Sequence, residues 1–550
     1  MNIYKSLFLG LVCSAGMHCT FAQTTVWNPD NQNGTFTNPI MWGDWPDPDL
    51  IRVDDKFYLV STSMHYVPGC PIAVSEDLVN WEMAGYALDR YDEDPKYDMQ
   101  GGNLYLNGAW ATTIRHHNGK FYVGFCTPYG WGRETGHFSI CIADDVKGPW
   151  ERTIFPEYLY DPGLFFDEDG KVYVVHGQGT LYLTELNSDV KSVKGKPVKI
   201  WQGGFKNAHE LGGGFGMEGS HMYRINGKYY ITCPAGGTGG WQICLRSDNI
   251  YGPYESKIVM AQGKTTINGP HQGGWVDTNT GESWFVHFQD QGAYGRVIHL
   301  NPMKWVNEWP VIGVDKDNCG EPVTTYKKPN VGKMYPVTTP PESDEFDTRH
   351  LGLQWQWHAN KQDTYGFTTD LGYIRLYAGS LSKEFVNFWE VPNLLLQKFP
   401  AEEFTATTKL TFTAKQDGEQ AGMIVMGWDY SYLSVRKAGD KFILQQVVCK
   451  DAEQQHPEQV KELASFPVEY LKMPGVADNE WKTVYLRVKV AKGAVCTFAY
   501  SLDGKKYTAA GEPFTARQGK WIGAKVGLFC VTPNDGNRGW ADVDWFRVTK

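Results

Sequence analysis

The chain has 550 residues, with 60 glycines, 29 prolines, 14% aromatic side chains and a formal charge of −10. That length exceeds one ordinary core and that composition excludes a mainly helical protein, so two or three strand-rich domains are expected. The acidic balance argues against nucleic acid or an anionic membrane as partner and favours a neutral ligand.

Residues 1–22 read as a secretory signal. Lys5 gives the positive start, Leu7 to Gly16 the apolar stretch, and Thr20-Phe21-Ala22 a small-residue cleavage site before Gln23. The apolar stretch is too short to span a bilayer, and no later stretch reaches the necessary length. His18 before Cys19 and Val12 before Cys13 do not suit a lipid-acceptor cysteine. The expectation is an exported protein, secreted or periplasmic, without a membrane span. Of the 11 cysteines, Cys13 and Cys19 leave with the signal. Cys126, Cys141, Cys233 and Cys244 lie in strand-like apolar runs and match no zinc spacing, so buried free thiols with at most one or two bridges are expected.

The stretch Asn38-Pro39-Ile40-Met41-Trp42-Gly43-Asp44-Trp45-Pro46-Asp47-Pro48-Asp49-Leu50 comes next. Pro46 and Pro48 cannot donate to a sheet ladder and fix their own φ, so they present Asp47 rigidly beside aromatic surface. After it a turn-plus-strand phrase recurs: Asp55-Lys56-Phe57-Tyr58, Gly119-Lys120-Phe121-Tyr122, Gly170-Lys171-Val172-Tyr173, Gly227-Lys228-Tyr229-Tyr230 and, more weakly, Glu282-Ser283-Trp284-Phe285. Copies spaced about 50 to 65 residues apart, each with about four short strands, are propeller blades. Five copies predict a five-bladed β-propeller over residues 35–330.

The repeats carry a phase. Asp47, Trp110, Asp161 and Glu218 each lie about 12 residues upstream of the second aromatic of their phrase, and His271 lies near that phase in the fifth copy. Equivalent positions of a radial repeat form one ring, so these side chains should converge at the mouth of the central channel. Three carboxylates drawn from separate blades repel one another in a partly desolvated site, which points to function and not to packing.

Lys327 to Ser343, with Pro329, Pro336, Pro340 and Pro341, reads as a linker. Beyond it, residues 344–550 keep strand patterns such as Thr407-Thr408-Lys409-Leu410-Thr411-Phe412 and Val484-Tyr485-Leu486-Arg487-Val488 but lose the blade phrase. The expectation there is a β-sandwich accessory domain of jelly-roll type, making the whole chain all-β. The runs Gly212-Gly213-Gly214 and Gly236-Gly237-Thr238-Gly239-Gly240 lack a following helix pattern, so they read as loops on the propeller face and not as phosphate cradles.

Glycoside hydrolysis needs one carboxylic acid to protonate the leaving oxygen and one carboxylate to activate water or attack. Asp47, Asp161 and Glu218 supply both roles and a helper. Taken singly each has a duller reading: a turn Asp between prolines, an ordinary turn former before Pro162-Gly163, and a solvated loop charge. Their shared phase is what lifts them together.

With Asn38-Pro39-Ile40, Trp45-Pro46-Asp47-Pro48-Asp49, Trp110-Ala111, Tyr160-Asp161-Pro162-Gly163-Leu164-Phe165 and Glu218-Gly219-Ser220-His221-Met222-Tyr223 in that order, the chain resembles glycoside hydrolase family 43. The resemblance implies a five-bladed propeller, hydrolysis with inversion, and α-L-arabinofuranosides or β-D-xylosides as substrates. The tail resembles the concanavalin-like sandwich of the family's two-domain xylosidase-like members. Carried over, Asp47 resembles the general base, Glu218 the general acid, and Asp161 the helper that raises the acid's pKa and orients it. Inversion implies base and acid carboxyls about 6.5–9.5 Å apart, with room for water. Trp110 and Tyr160 resemble aromatic walls of the sugar subsite, Arg296 an arginine that binds a sugar hydroxyl near the base, and His271 a channel histidine near a structural Ca2+ ion. No cofactor is required for the chemistry. Relatives usually carry Pro where this chain has Thr112 and often where it has Ser220, changes that touch the pocket's shape but no proton-transferring group.

The resulting expectation is an exported inverting glycosidase that releases terminal arabinofuranosyl or xylosyl units from plant cell-wall polysaccharide or oligosaccharides. The alternatives are an endo-arabinanase or exo-galactanase of the same fold, and a carbohydrate-binding propeller without turnover.

Overall fold

A computed structural model describes residues 25–130, 135–202, 216–269, 272–471 and 479–550. The signal at 1–22, Gly212-Gly213-Gly214 and His271 fall outside the described residues. No helix of the described residues is long and apolar enough to cross a membrane.

Five sheets follow one another in the chain, each built on four antiparallel strands, the fourth widened to six by Val314–Lys316 and Cys319–Glu321. The first blade is Asp49–Val53, Lys56–Val60, Gly69–Ser75 and Trp81–Leu88. The second is Trp110–His117, Lys120–Pro128, Gly136–Ala143 and Glu151–Phe155, and the third Gly163–Phe166, Val172–His176, Thr180–Leu186 and Val193–Gln202. The fourth is His221–Ile225, Lys228–Ala235, Trp241–Ser247 and Glu255–Ala261. The fifth is Gly273–Asp277, Ser283–Asp290, Arg296–Val306 and Trp309–Ile312. Each recurring phrase is the turn between a blade's first two strands. Asn118-Gly119 and Asn226-Gly227 hold both turn residues at positive φ, the turn whose twist matches the flanking strands. Thr35–Thr37 pairs with Thr325–Lys327 and closes the ring.

The sandwich has two eight-stranded sheets. One contains Gln420–Met426, Tyr430–Ala438, Lys441–Cys449 and Lys525–Thr532; the other Phe404–Ala414, Asn479–Ala491, Val495–Ser501 and Trp540–Thr549. Alternating residues such as Leu410, Phe412, Leu433, Phe442 and Leu486 meet between the sheets as a buried core. The nine cysteines of the described residues are all free thiols, eight of them buried.

The two domains share their packing. Val67 and Trp357 exchange backbone hydrogen bonds of 3.1 and 2.6 Å, Tyr105 stacks on Trp389 with ring centroids 3.7 Å apart, and the Asn360 side chain bonds both the N–H and C=O of Tyr91. Continuous apolar clusters run across the boundary. The sandwich is therefore a wall of the same body and not a tethered module.

Candidate active site

Four blades lead into their innermost strand through one backbone kink. Asp47, Ala111, Asp161 and Gly219 have φ of +50°, +45°, +49° and +56°. Asp tolerates the left-handed region better than most side chains, which suits Asp47 and Asp161, whereas at Gly219 a Cβ would also lie 2.3 Å from Gln272. Two residues past each kink sit Asp49, Thr113, Gly163 and His221, which form a buried inner ring. Asp49 Oδ2 accepts from Thr113 Oγ1 at 2.8 Å, Ile114 N at 3.0 Å and Arg115 Nη1 at 2.6 Å, and His221 Nδ1 lies 3.4 Å away. Only glycine fits at 163, because a Cβ there would lie 1.9 Å from the Ser220 carbonyl oxygen. This ring locks the register of neighbouring blades and thereby fixes where the kinks point.

Above the ring opens a cavity of about 180 Å3. Asp47, Trp110, Tyr160, Asp161, Glu218 and Arg296 all line it, so every predicted site residue within the described residues is brought together. Asp47 and Asp161 project from the kink residue itself, Trp110 and Glu218 from the residue before it, a one-residue offset that the sequence phase blurred.

Both oxygens of Asp47 are engaged: Arg296 Nη1 donates to Oδ1 at 2.5 Å and Thr62 Oγ1 donates to Oδ2 at 2.7 Å. Arg296 also donates from Nε to Asp290 Oδ1 at 3.3 Å, and its guanidinium lies 4.3 Å from the Phe288 ring centre. Burial works against the Arg296 charge, yet Asp47, Asp290 and Asp44 together hold its pKa above the ordinary guanidinium range. The Arg296 guanidinium therefore stays charged. Glu218 Oε2 accepts from Gln178 Nε2 at 2.6 Å and from Tyr160 Oη at 3.2 Å. The Trp110 indole is fixed by its Nε1 donating to Leu106 O at 2.8 Å. His221, buried in the hub, has its pKa pushed down by desolvation to about 4 against the pull of Asp49, so its ring is neutral near pH 7.

Sequence reasoning missed Thr62, Met64, Gln178, Gln272, Phe288, Asp290 and Trp521. Asp290 ends the second strand of the fifth blade and Gln178 lies just past the second strand of the third, positions at the same face that a fuller use of the repeat could have found. Trp521 had no such signal, because it comes from the sandwich: the segment between Thr508–Thr515 and Lys525–Thr532 reaches over the propeller and places its indole 5.4 Å from the Arg296 guanidinium. Beside it Lys520 Nζ lies 5.4 Å from the Trp110 ring centre. Gly237 and Thr238, in one of the glycine-rich runs, line the opposite side. Among the described residues, the one group of three potential metal ligands is Asp429, Asp451 and Glu453 in the sandwich, and Arg517 already bridges all three.

The profile of glycosyl hydrolases family 43 matches residues 36–310, and that of the β-xylosidase C-terminal concanavalin A-like domain matches residues 343–549. A putative β-xylosidase of Xylanibacter ruminicola is 34% identical over 519 residues, 92% of this chain and 87% of that one. A non-reducing end α-L-arabinofuranosidase of Bacteroides ovatus is 31% identical over 441 residues, 76% and 79% of the two chains. The crystal structure of a family 43 protein of Bacillus licheniformis, a K247S mutant, superposes with a TM-score of 0.78 at 26% identity, covering 94% of this chain and 99% of that one.

Proposed function

The chain belongs to glycosyl hydrolases family 43, an inverting glycosidase family, and from that premise we propose that it removes single terminal β-D-xylosyl or α-L-arabinofuranosyl units from the non-reducing ends of plant cell-wall glycans. The observation that carries this reading is one cavity holding Asp47, Asp161 and Glu218, with Trp521 of the sandwich at its rim.

The mechanism follows from the placements. A water on the face of the sugar opposite the leaving group loses a proton to Asp47 as its oxygen attacks the anomeric carbon, while Glu218 delivers its proton to the departing glycosidic oxygen. Arg296 and Thr62 hold the Asp47 carboxylate in a fixed orientation. Asp161, at the matching kink of the third blade, orients the acid. Trp110 and Tyr160 offer apolar faces to the C–H surface of the ring, and the remaining Arg296 donors suit a ring hydroxyl. A pocket with Trp521 and Lys520 over it suits a chain end better than a running chain, which supports exo action. The relatives named for xylose and arabinose support the pentose class.

Hydrolysis of nitrophenyl β-D-xyloside and α-L-arabinofuranoside, with product profiling on linear xylo- and arabino-oligosaccharides, tests the reading. Release of monosaccharide from chain ends, with the inverted anomer seen first by NMR, is expected. Random internal cleavage would sink the exo assignment. Export belongs to the same proposal and rests on residues 1–22; N-terminal sequencing of the mature protein should begin at Gln23. A structural Ca2+ in the propeller channel would take no part in the proton transfers; the buried His221 ring in the hub, whose two nitrogens lack hydrogen-bond partners beside Asp49, supports a polar ion or water there. Elemental analysis of the purified protein checks it.

A further inference from the structure

Asp44 lies three residues before the base, 2% exposed, at the seam of the two domains. Its Oδ1 accepts from Arg296 N at 3.2 Å, and its carboxylate also accepts from the backbone N–H of Gly523. The Asp44 carboxylate and the Gly295 and Gly523 backbones touch: a Cβ on Gly295 would lie 2.2 Å from Asp44 Oδ1 and 2.6 Å from Gly523 N, and a Cβ on Gly523 would lie 2.7 Å from Gly295 N. Next along the chain, Ala524 N donates to Ala293 O at 2.7 Å. Facing Asp44 from the sandwich, Lys398 and Lys525 sit opposite each other on paired strands; burial pushes the Asp44 carboxyl up and both lysines down, and the lysines attract Asp44 against that burial. Burying a carboxylate here is costly unless those partners are kept, so contacts of this kind are unfavourable as filler.

The segment carrying Trp521 is thus held at both ends. At one end Arg517 bonds Asp429 at 3.0 Å and Asp451 at 2.6 Å within the sandwich. At the other, Gly523 is bound to a propeller carboxylate that also grips the backbone of Arg296. We propose that Asp44 is a positioning residue, which registers the sandwich arm 517–524 against Arg296 so that Trp521 and the Arg296–Asp47 pair form one preorganised wall of the substrate pocket. It touches neither substrate nor reacting atoms; it acts through Trp521 and Arg296. The sandwich then contributes to turnover through the Trp521 arm that this propeller carboxylate holds in place.

The inference rests on the pocket being the glycosidase site, and the test separates the two. In the full chain, Asp44→Ala should raise amide hydrogen exchange in peptides covering 517–524 and 291–299, with Asp44→Asn, which keeps an accepting oxygen, close to the parent. This readout needs no turnover. Unchanged exchange in Asp44→Ala overturns the proposal whatever the enzyme's substrate. For activity, Asp44→Ala should raise KM for the nitrophenyl pentoside about 10-fold with a smaller change in kcat. Combined with Trp521→Ala it should add little to the loss of Trp521→Ala alone, since both act on one wall. Fully additive losses overturn it, because Asp44 would then be merely structural. Absence of pentosidase activity in the parent would refute the functional reading while leaving the exchange result to decide Asp44.

Discussion

The propeller and the sandwich solve opposite problems with the same element. In the sandwich, two broad sheets face each other and fill the space between them with apolar side chains, so its interior is dry. In the propeller, neighbouring blades pack face to face through separate apolar clusters, and their five innermost strands surround a hub that those clusters do not fill. Polar groups therefore collect there: Asp49, Thr113 and Arg115 at the inner ring, Asp47, Asp161 and Glu218 above it. The difference teaches that the chemistry is a product of radial repetition, while the sandwich supplies what a symmetric ring cannot, a one-sided wall.

That division predicts effects of very different size. Glu218→Gln should lower kcat by about 10³-fold or more while leaving the melting temperature nearly unchanged, whereas Asp47→Asn should lower kcat as far and also lower the melting temperature, because it takes a partner from the buried Arg296 charge. Xylose binding to Glu218→Gln, followed by calorimetry, should persist. Loss of binding along with turnover would break the separation of chemistry from fold.

The second largest effect is on stability and comes from both domains. Glu342, where the linker meets the N-terminal arm, and Glu458, under the Tyr430 and Tyr432 hydroxyls in the sandwich, each have a pKa pushed up by burial to about 7. A carboxyl whose folded pKa lies above its unfolded one favours the folded state when protonated. Its contribution is full below about pH 4.5 and is lost as pH rises through about 7, up to ~3 kcal/mol for each group. Thermal unfolding followed from pH 5 to pH 8 should show a falling melting temperature. Glu458→Gln and Glu342→Gln should each flatten that fall.

Trp521→Ala tests the sandwich's share of the pocket directly. An increase in KM of about 10-fold, equal to ~1.4 kcal/mol, is expected with kcat changed less, read from initial rates on the nitrophenyl pentoside. An unchanged KM would make the wall decorative. At the bottom of the scale, the exposed Arg349–Asp370 pair on the sandwich is screened by solvent, and Arg349→Ala should leave both the melting temperature and kcat/KM close to those of the parent.

Much of this was written locally. The turn-plus-strand phrase fixed the blade count, because a two-residue turn between alternating strands is decided by neighbours along the chain. Asp47 and Asp161 were legible because each sits before a proline in the same place of a repeat, and radial repetition turns equal sequence phase into spatial convergence. Glu218 and Trp110 were found by the same rule although they stand one residue ahead of the kink. His271 lies outside the described residues, so its phase leads no further here.

Other features were decided only when distant segments met. Nothing near Trp521 or Asp44 in the chain marks either as part of a pocket wall, since their partners, Arg296 and Gly523, lie hundreds of residues away in sequence from one or the other. The amino-acid order by itself determined the strands, the repeat and the ring of acids, because these depend on short-range turns and on periodic spacing. The tertiary structure alone decided which side of that ring is closed and what holds the Asp47 carboxylate in place, because contacts between non-repeating surfaces leave no period in the sequence.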